Sequence, residues 1–318
     1  MKTKIVYVLV SQEIDYYYEM LLLSLYSLRL HHPKGDAVVE VVMDEDTHQR
    51  LVDKKAAILD DVTPIVTSIP PEYTKMQRSR YLKTRLRQIV QGNFLYVDCD
   101  TIICNRLDDI DDVDATVAMV SDENRNIYLK SPHTIELCNK AGFSLLENQP
   151  YFNSGVIYVQ DTSLSCHFFE EWNRLWNQSL LSNVPQDQPA LCMANVNIGQ
   201  IVTELSSAWN LQCRNGIGDN HAKTKILHYY SSGNSYMRKY LFDFIRRSDN
   251  MEFINPLVQN PMTLGVSVFT ISDERLMRYV YSDILYLYET MPKLFYILNK
   301  ISNLLLIVYR LFSKVTKN

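Results

Sequence analysis

Phe94-Leu95-Tyr96-Val97-Asp98-Cys99-Asp100-Thr101 is an apolar run that ends in two carboxylates one residue apart. Four successive apolar residues closed by polar ones read as a strand buried on both faces, the pattern of a parallel sheet. Ligands in open α/β sheets sit beyond the carboxyl ends of the strands, so the acidic end of this run is well placed for a site. Alternate side chains of an extended segment share a face, which lets Asp98 and Asp100 approach one ion together. Hard divalent cations take such oxygen ligands. Taken alone, the pair fits a solvated acidic turn equally well.

Working outward, further strand-like runs lie at Ile5 to Val10, Val38 to Met43, Thr116 to Val120, Gly155 to Gln160 and Ile226 to Tyr229. Helical patterns separate them. Leu21, Leu22, Leu25 and Leu28 mark one apolar face that His31, His32 and Pro33 end, and residues 46 to 59 and 164 to 180 behave alike. Alternating strands and helices predict an α/β domain with a mostly parallel central sheet flanked by helices. The stretch from Asn255-Pro256 to Asn260-Pro261 reads as a boundary. It predicts a catalytic domain over 1–255 and a helical, increasingly basic extension over 256–318.

With 47% hydrophobic and 21% charged residues, the chain lies outside the regime of disorder. A formal net charge of -4 and no basic patch in the first 260 residues exclude a nucleic-acid partner. The six cysteines form no CxxC pair, so neither a zinc site nor a disulfide framework is expected, and a reducing cytoplasm is. Ser11, Glu13 and Asp15 interrupt the first apolar run, which therefore reads as a buried strand rather than a signal peptide. No run of 18 apolar residues occurs, so any membrane association would be peripheral.

Three more segments carry polar groups at element ends. Tyr151-Phe152-Asn153-Ser154-Gly155-Val156-Ile157 opens a strand with a small polar trio that lets a ligand approach the backbone closely. Pro185-Gln186-Asp187-Gln188-Pro189-Ala190-Leu191 starts a helix, and Ile226-Leu227-His228 ends a late strand in a histidine. Each has a plain structural reading as a glycine turn, a helix cap or a satisfied histidine. Their order and spacing are more specific. The first strand, the helix closing on His32-Pro33, YVDCDT at 96 to 101, FNSGV at 152 to 156, Asp187-Gln188 and His228 together resemble glycosyltransferase family 8 over about residues 4 to 240.

The resemblance implies a nucleotide-binding domain of the GT-A type that transfers a hexose, galactose or glucose, from a UDP-sugar to a saccharide acceptor with retention of configuration. It puts Asp98, Asp100 and His228 on manganese. Two carboxylates with one imidazole favour manganese over magnesium, the possible substitute. It puts Lys83 and then Arg80, on the basic helix Arg78 to Arg87, against the sugar donor, with Val8, Ser11 and Cys99 as further donor contacts. Val8 and Ser11 hold the base and ribose; Ser11 stands where an acidic residue is common, so the base contacts there are expected through backbone. Gln188 and Asp187 fall nearest the reacting carbon, and Asn153 falls in a strand turn facing the sugar. The Lys-Pro-Trp run that follows the metal histidine in many members is missing after His228, and Lys239 is the nearest later lysine.

Two rival readings use the same residues. A phosphatase of the haloacid-dehalogenase type also ends an apolar strand in DxDx[TV], but near its N-terminus, and its later acidic pair would have to be Asp108-Asp109. A non-catalytic relative would bind nucleotide-sugar without turnover, which fits poorly with three intact metal ligands. At the C-terminus, Leu294, Ile297, Leu298, Ile301, Leu304, Leu305, Val308, Leu311, Phe312 and Val315 form one helical stripe, and no acidic residue follows Glu289. A basic amphipathic helix of this kind is expected on an anionic membrane surface, at the cytoplasmic face of the cell membrane, near a lipid-linked acceptor used in surface glycan or lipopolysaccharide synthesis. Packing on the catalytic domain or on a second copy would hide the stripe equally well.

Overall fold

The structure is a computed structural model that describes residues 1–11, 16–124, 126–128, 130–144, 148–212 and 224–228, together with 293, 294, 296–298, 300, 301, 304 and 305. In chain order the described elements are β1 (Lys4–Leu9), α1 (Tyr16–His31), β2 (Val39–Asp44), α2 (Glu45–Asp53), β3 (Thr63–Thr67), α3 (Lys75–Lys83), α4 (Leu86–Ile89), β4 (Phe94–Val97), β5 (Thr101–Ile103), β6 (Val117–Ser121), α5 (Pro132–Lys140), β7 (Phe152–Val159), α6 (Ser163–Leu181), α7 (Gln188–Asn197), β8 (Val202–Glu204), β9 (Leu211–Gln212) and β10 (Ile226–His228). The chain divides into two compact units, Met1–Pro261 and Met262–Asn318.

Seven strands form the central sheet in the order β3-β2-β1-β4-β7-β6-β8. All neighbours pair in parallel except at β7, which runs antiparallel to both β4 and β6. The mostly parallel α/β sheet expected from the alternating pattern is therefore present, with one reversed strand. Strands β1, β2, β4, β6 and β7 are buried along nearly their whole length, which is why they read as continuous apolar runs. On one face, α6 lays Phe168, Phe169, Trp172 and Trp176 into the core, with Phe169 edge-on to Phe94 of β4. Thr162 and Ser165 start α6 with a reciprocal capping box, as Thr74 and Gln77 start α3.

A second sheet of three strands, β5-β10-β9, lies just past the acidic end of β4. In it β10 runs antiparallel to β5, so that His228 pairs with Thr101. The chain needs only three residues after Val97 to enter this sheet, and Asp98 to Asp100 form the corner between the two. Asn153 lies inside β7 rather than in a turn at its start. The expected turn is a continuous strand because β7 begins three residues before Gly155.

Candidate active site

The corner after β4 gathers groups from four parts of the chain. The Asp98 backbone N–H donates to the Gly155 carbonyl at 2.8 Å, which ties the corner to β7. His228 Nε2 lies 3.2 Å from Asp100 Oδ1 and 3.9 Å from Asp98 Oδ2. One ligand atom from each of the three residues lies within 4.8 Å of the other two. Two carboxylates and an imidazole converging in this way suit a divalent cation.

Gly155 makes the convergence possible. A Cβ there would come within 2.7 Å of His228 Nδ1 and closer still to Cε1, so only glycine lets the imidazole lie against β7. A glycine permitting close approach to the backbone was expected from FNSGV; the group that approaches is the histidine of the same site.

Beside the acidic corner sits a buried ionic cluster. Lys83 is 1% exposed and lies 3.3 Å from Asp98 Oδ1 and 3.4 Å from Asp187 Oδ2, and it donates to the Ser154 hydroxyl at 3.1 Å. Its ammonium also lies over the Tyr96 ring. Arg80 pairs with Asp187 at 3.0 Å, and the Ser154 hydroxyl donates to Asp187 at 2.9 Å. Burial alone pushes the Asp187 carboxyl up, but Lys83, Arg80 and Ser154 outweigh it and hold it at about 2. Burial and the adjacent Asp98 push the Tyr96 phenol well above its usual range, so it stays protonated and donates to Asp98.

Asp187 occupies the N-cap position of α7, yet its side chain makes no capping bond. A capping residue whose carboxylate is turned to two buried cations breaks a local rule, which happens at functional sites. Next to it, Gln188 Nε2 donates to Asp122 Oδ1 and to the Phe152 carbonyl, both at 3.3 Å. Because both partners are acceptors, the amide is oriented with Nε2 toward them and Oε1 away.

At the C-terminal end of β1, Val8 and Ser11 also bond within the protein. The Val8 carbonyl accepts from the Cys99 thiol at 3.4 Å. The Ser11 N–H donates to Thr47 Oγ1, while its carbonyl accepts from Thr47 and from Arg50. Val8 and Cys99 thus link β1 to the acidic corner, and Ser11 links β1 to α2. The Ser11 backbone that was expected to meet the base is engaged within the protein. Lys239 and the segment 229 to 234 lie outside the described residues.

Sequence reading did not single out Asp122, Asn210 or the role of Ser154. Asn210 lies between a short 3-10 turn and the two-residue β9, where no periodicity marks it. Asp122 stands one residue beyond β6 in an acidic turn, a pattern too common to carry information.

The family model for glycosyl transferase family 8 matches residues 12–245 of the chain. Similar solved structures include the galactosyltransferase LgtC in complex with donor and acceptor sugar analogs, at 14% identity over 80% of this chain and 99% of that one, with a TM-score of 0.52. The apo-form glycosyltransferase GlyE of Streptococcus pneumoniae TIGR4 is 16% identical over 81% of this chain and 63% of its own, with a TM-score of 0.51. The apo structure of the bifunctional glycosyltransferase WbbM is 17% identical over 84% of this chain and 51% of its own, with a TM-score of 0.52. At these identities the likeness shows a shared GT-A fold. A comparison with curated proteins finds no match.

The family model and the shared fold together make the chain a glycosyltransferase of the GT-A class. The chain belongs to glycosyl transferase family 8. This removes the phosphatase reading. Asp108 and Asp109, which a phosphatase would need, are held by Arg106 and Lys225.

Proposed function

We propose that the protein transfers galactose or glucose from a UDP-sugar to a saccharide acceptor with retention, using manganese held by Asp98, Asp100 and His228. The observation that carries this reading is the adjacency of an acidic corner, suited to a divalent ion, and two cations, Lys83 and Arg80, suited to a diphosphate. When bound, the ion would act as a Lewis acid toward the departing diphosphate. Lys83 and Arg80 would bind the diphosphate and meet the charge that develops on it as the bond from sugar to phosphate breaks. The acceptor oxygen then bonds to the same carbon from the leaving-group face, and its proton passes to the departing phosphate. Asp187 and Asn153 would orient sugar hydroxyls. Gln188 is too weak a nucleophile for a covalent intermediate, so its Oε1 serves the sugar as a hydrogen-bond acceptor.

Hydrolysis of a panel of nucleotide-sugars by the purified protein tests the donor class. UDP-galactose or UDP-glucose should be turned over with manganese and not in chelator, and a preference for a GDP- or CMP-sugar would refute the reading.

Residues 1–255 are proposed as the catalytic domain and 256–318 as an extension that holds it to the cytoplasmic membrane face, within surface glycan synthesis. Leu294, Ile297, Leu298, Ile301, Leu304 and Leu305 are all exposed on helical residues with Lys293 and Lys300 nearby. Val308, Leu311, Phe312 and Val315 of the same stripe lie outside the described residues. No described helix is long and apolar enough to cross a membrane. Deleting residues 291–318 should abolish partition onto anionic vesicles; unchanged partition would defeat the anchor.

A further inference from the structure

The imidazole of His228 is buried, and its Nδ1 faces Asn210 Oδ1 at 3.1 Å. Asn210 is fully buried and donates from Nδ2 to Asn153 Oδ1 at 2.8 Å. Asn153, also buried, receives a second bond on that oxygen from the Gly155 backbone N–H at 2.9 Å, and its Nδ2 donates to Asp122 Oδ1 at 3.1 Å.

The direction of every bond in this chain follows from its ends. A backbone N–H can only donate and a carboxylate oxygen only accept, so Asn153 must present Oδ1 to Gly155 and Nδ2 to Asp122. Asn210 must then turn its own Nδ2 toward Asn153 and its Oδ1 toward His228. An acceptor opposite Nδ1 requires a proton on Nδ1, so Nε2, the atom that faces Asp98 and Asp100, is the one that can offer its lone pair to an ion held between them. Three of the four side chains are buried, so no bulk water substitutes for a missing partner.

We propose that Asn210, oriented through Asn153 by Asp122, is a positioning residue that fixes the tautomer of His228 for metal binding. The same Asp122 oxygen accepts from Gln188 Nε2, so one carboxylate orients both the metal histidine and the amide nearest the reacting carbon. The inference rests on the metal reading of the acidic corner. It adds the residue that decides which nitrogen of the histidine is offered.

Side-chain nitrogen NMR on the metal-free protein, with His228 assigned by its loss in His228→Gln, reads directly whether Nδ1 carries a proton. Nδ1 should carry a proton in the wild type, whether or not Nε2 also carries one toward the carboxylates, whereas neutral histidine in water prefers Nε2–H alone. Asn210→Leu should shift His228 toward Nε2–H and weaken Mn2+ binding, measured by calorimetry, by about 10- to 100-fold. Asp122→Asn, which keeps the shape but no longer enforces the direction, should give a mixture of tautomers. A wild-type His228 with no proton on Nδ1 would overturn the proposal, as would an Asn210→Leu protein in which Nδ1 stays protonated and Mn2+ affinity is unchanged. If the wild type binds no Mn2+, the metal reading fails, and the wild-type spectrum still decides the relay.

Discussion

Among the described residues, two clusters hold a histidine and two aspartates with ligand atoms close enough to share a cation: His32, Asp36 and Asp108, and Asp98, Asp100 and His228. In the first, Arg106 already fills the position a cation would take, bonding to Asp36 at 2.9 Å and to both oxygens of Asp108 at 2.7 and 2.9 Å. His32 Nε2 accepts from the Leu107 N–H at 2.8 Å, so its lone pair is spent on the backbone. In the second, Nε2 faces the carboxylates, and the nearest cation, Lys83, is divided among Asp98, Asp187 and Ser154. Ligand types alone do not distinguish the clusters; what already satisfies their lone pairs does. The first braces α1 against the loop after β5, and the second is placed for chemistry.

The largest expected effect comes from Asp100→Ala. It should lower sugar transfer by at least about 100-fold and abolish Mn2+ binding with little change in melting temperature, because an anionic ligand is lost from a partly open corner. Full activity of this variant in chelator would erase the contrast between the clusters.

Next comes Gly155→Ala, which drives a methyl group into the His228 ring. Overpacking of this kind costs about 1–3 kcal/mol, and transfer should fall by about tenfold or more as the imidazole is displaced. Wild-type kinetics and Mn2+ affinity here would show that the ring has room to move.

His32→Leu should do the reverse. Leaving the buried Leu107 N–H without its acceptor costs about 1–3 kcal/mol, read in denaturant melts, while transfer and the stoichiometry of one Mn2+ per chain stay unchanged. A drop in Mn2+ stoichiometry would identify the closed cluster as a metal site after all.

The smallest effect is in pH. Burial pushes the His32 imidazole below its ordinary 6.5, only partly offset by its bond to Asp36. The unfolded chain therefore takes up the proton first, and stability should decline as pH falls below 6.5. Asp187, held at about 2 against an ordinary 3.8, keeps its contribution above 3.8 and loses it only as pH falls from there toward 2. Urea melts of wild type and His32→Leu between pH 7 and 5 separate the two, since the upper decline should shrink in the variant to what the neighbouring His31, also held below 6.5 by burial, contributes.

Legibility followed burial and length. Strands β1, β2, β4 and β6 sit inside the sheet and announced themselves as apolar runs, and the acidic end of β4 marked the site. The edge strands did not. β3 is half polar and contains Pro64, tolerated because it pairs on one side only, and β8 is three residues long with two of them exposed. The reversal of β7 was invisible, because an apolar strand reads the same in either pairing direction. Asp98, Asp100 and His228, which the structure brings together, stood out by type and by their place at strand ends, whereas Lys83, Asp187 and Gln188 were singled out through the family resemblance. Asn210 and Asp122 were not, because their meaning lies in partners 18 and 31 residues away.

The reversed strand has a mechanical consequence. Because β7 enters the sheet beside the end of β4, its first residues lie at the acidic corner, and the pleat deals them to opposite sides. Asn153 and Gly155 go to His228, while Ser154 goes to Lys83 and Asp187. One short stretch of backbone thereby acts as a gauge block, setting the distance between His228 and the cationic cluster by the thickness of a single strand. A one-residue insertion between Gly155 and Val156, with the rest of β7 held in register, would turn the block over, giving each cluster the other's side chain while leaving every residue of both clusters in the chain.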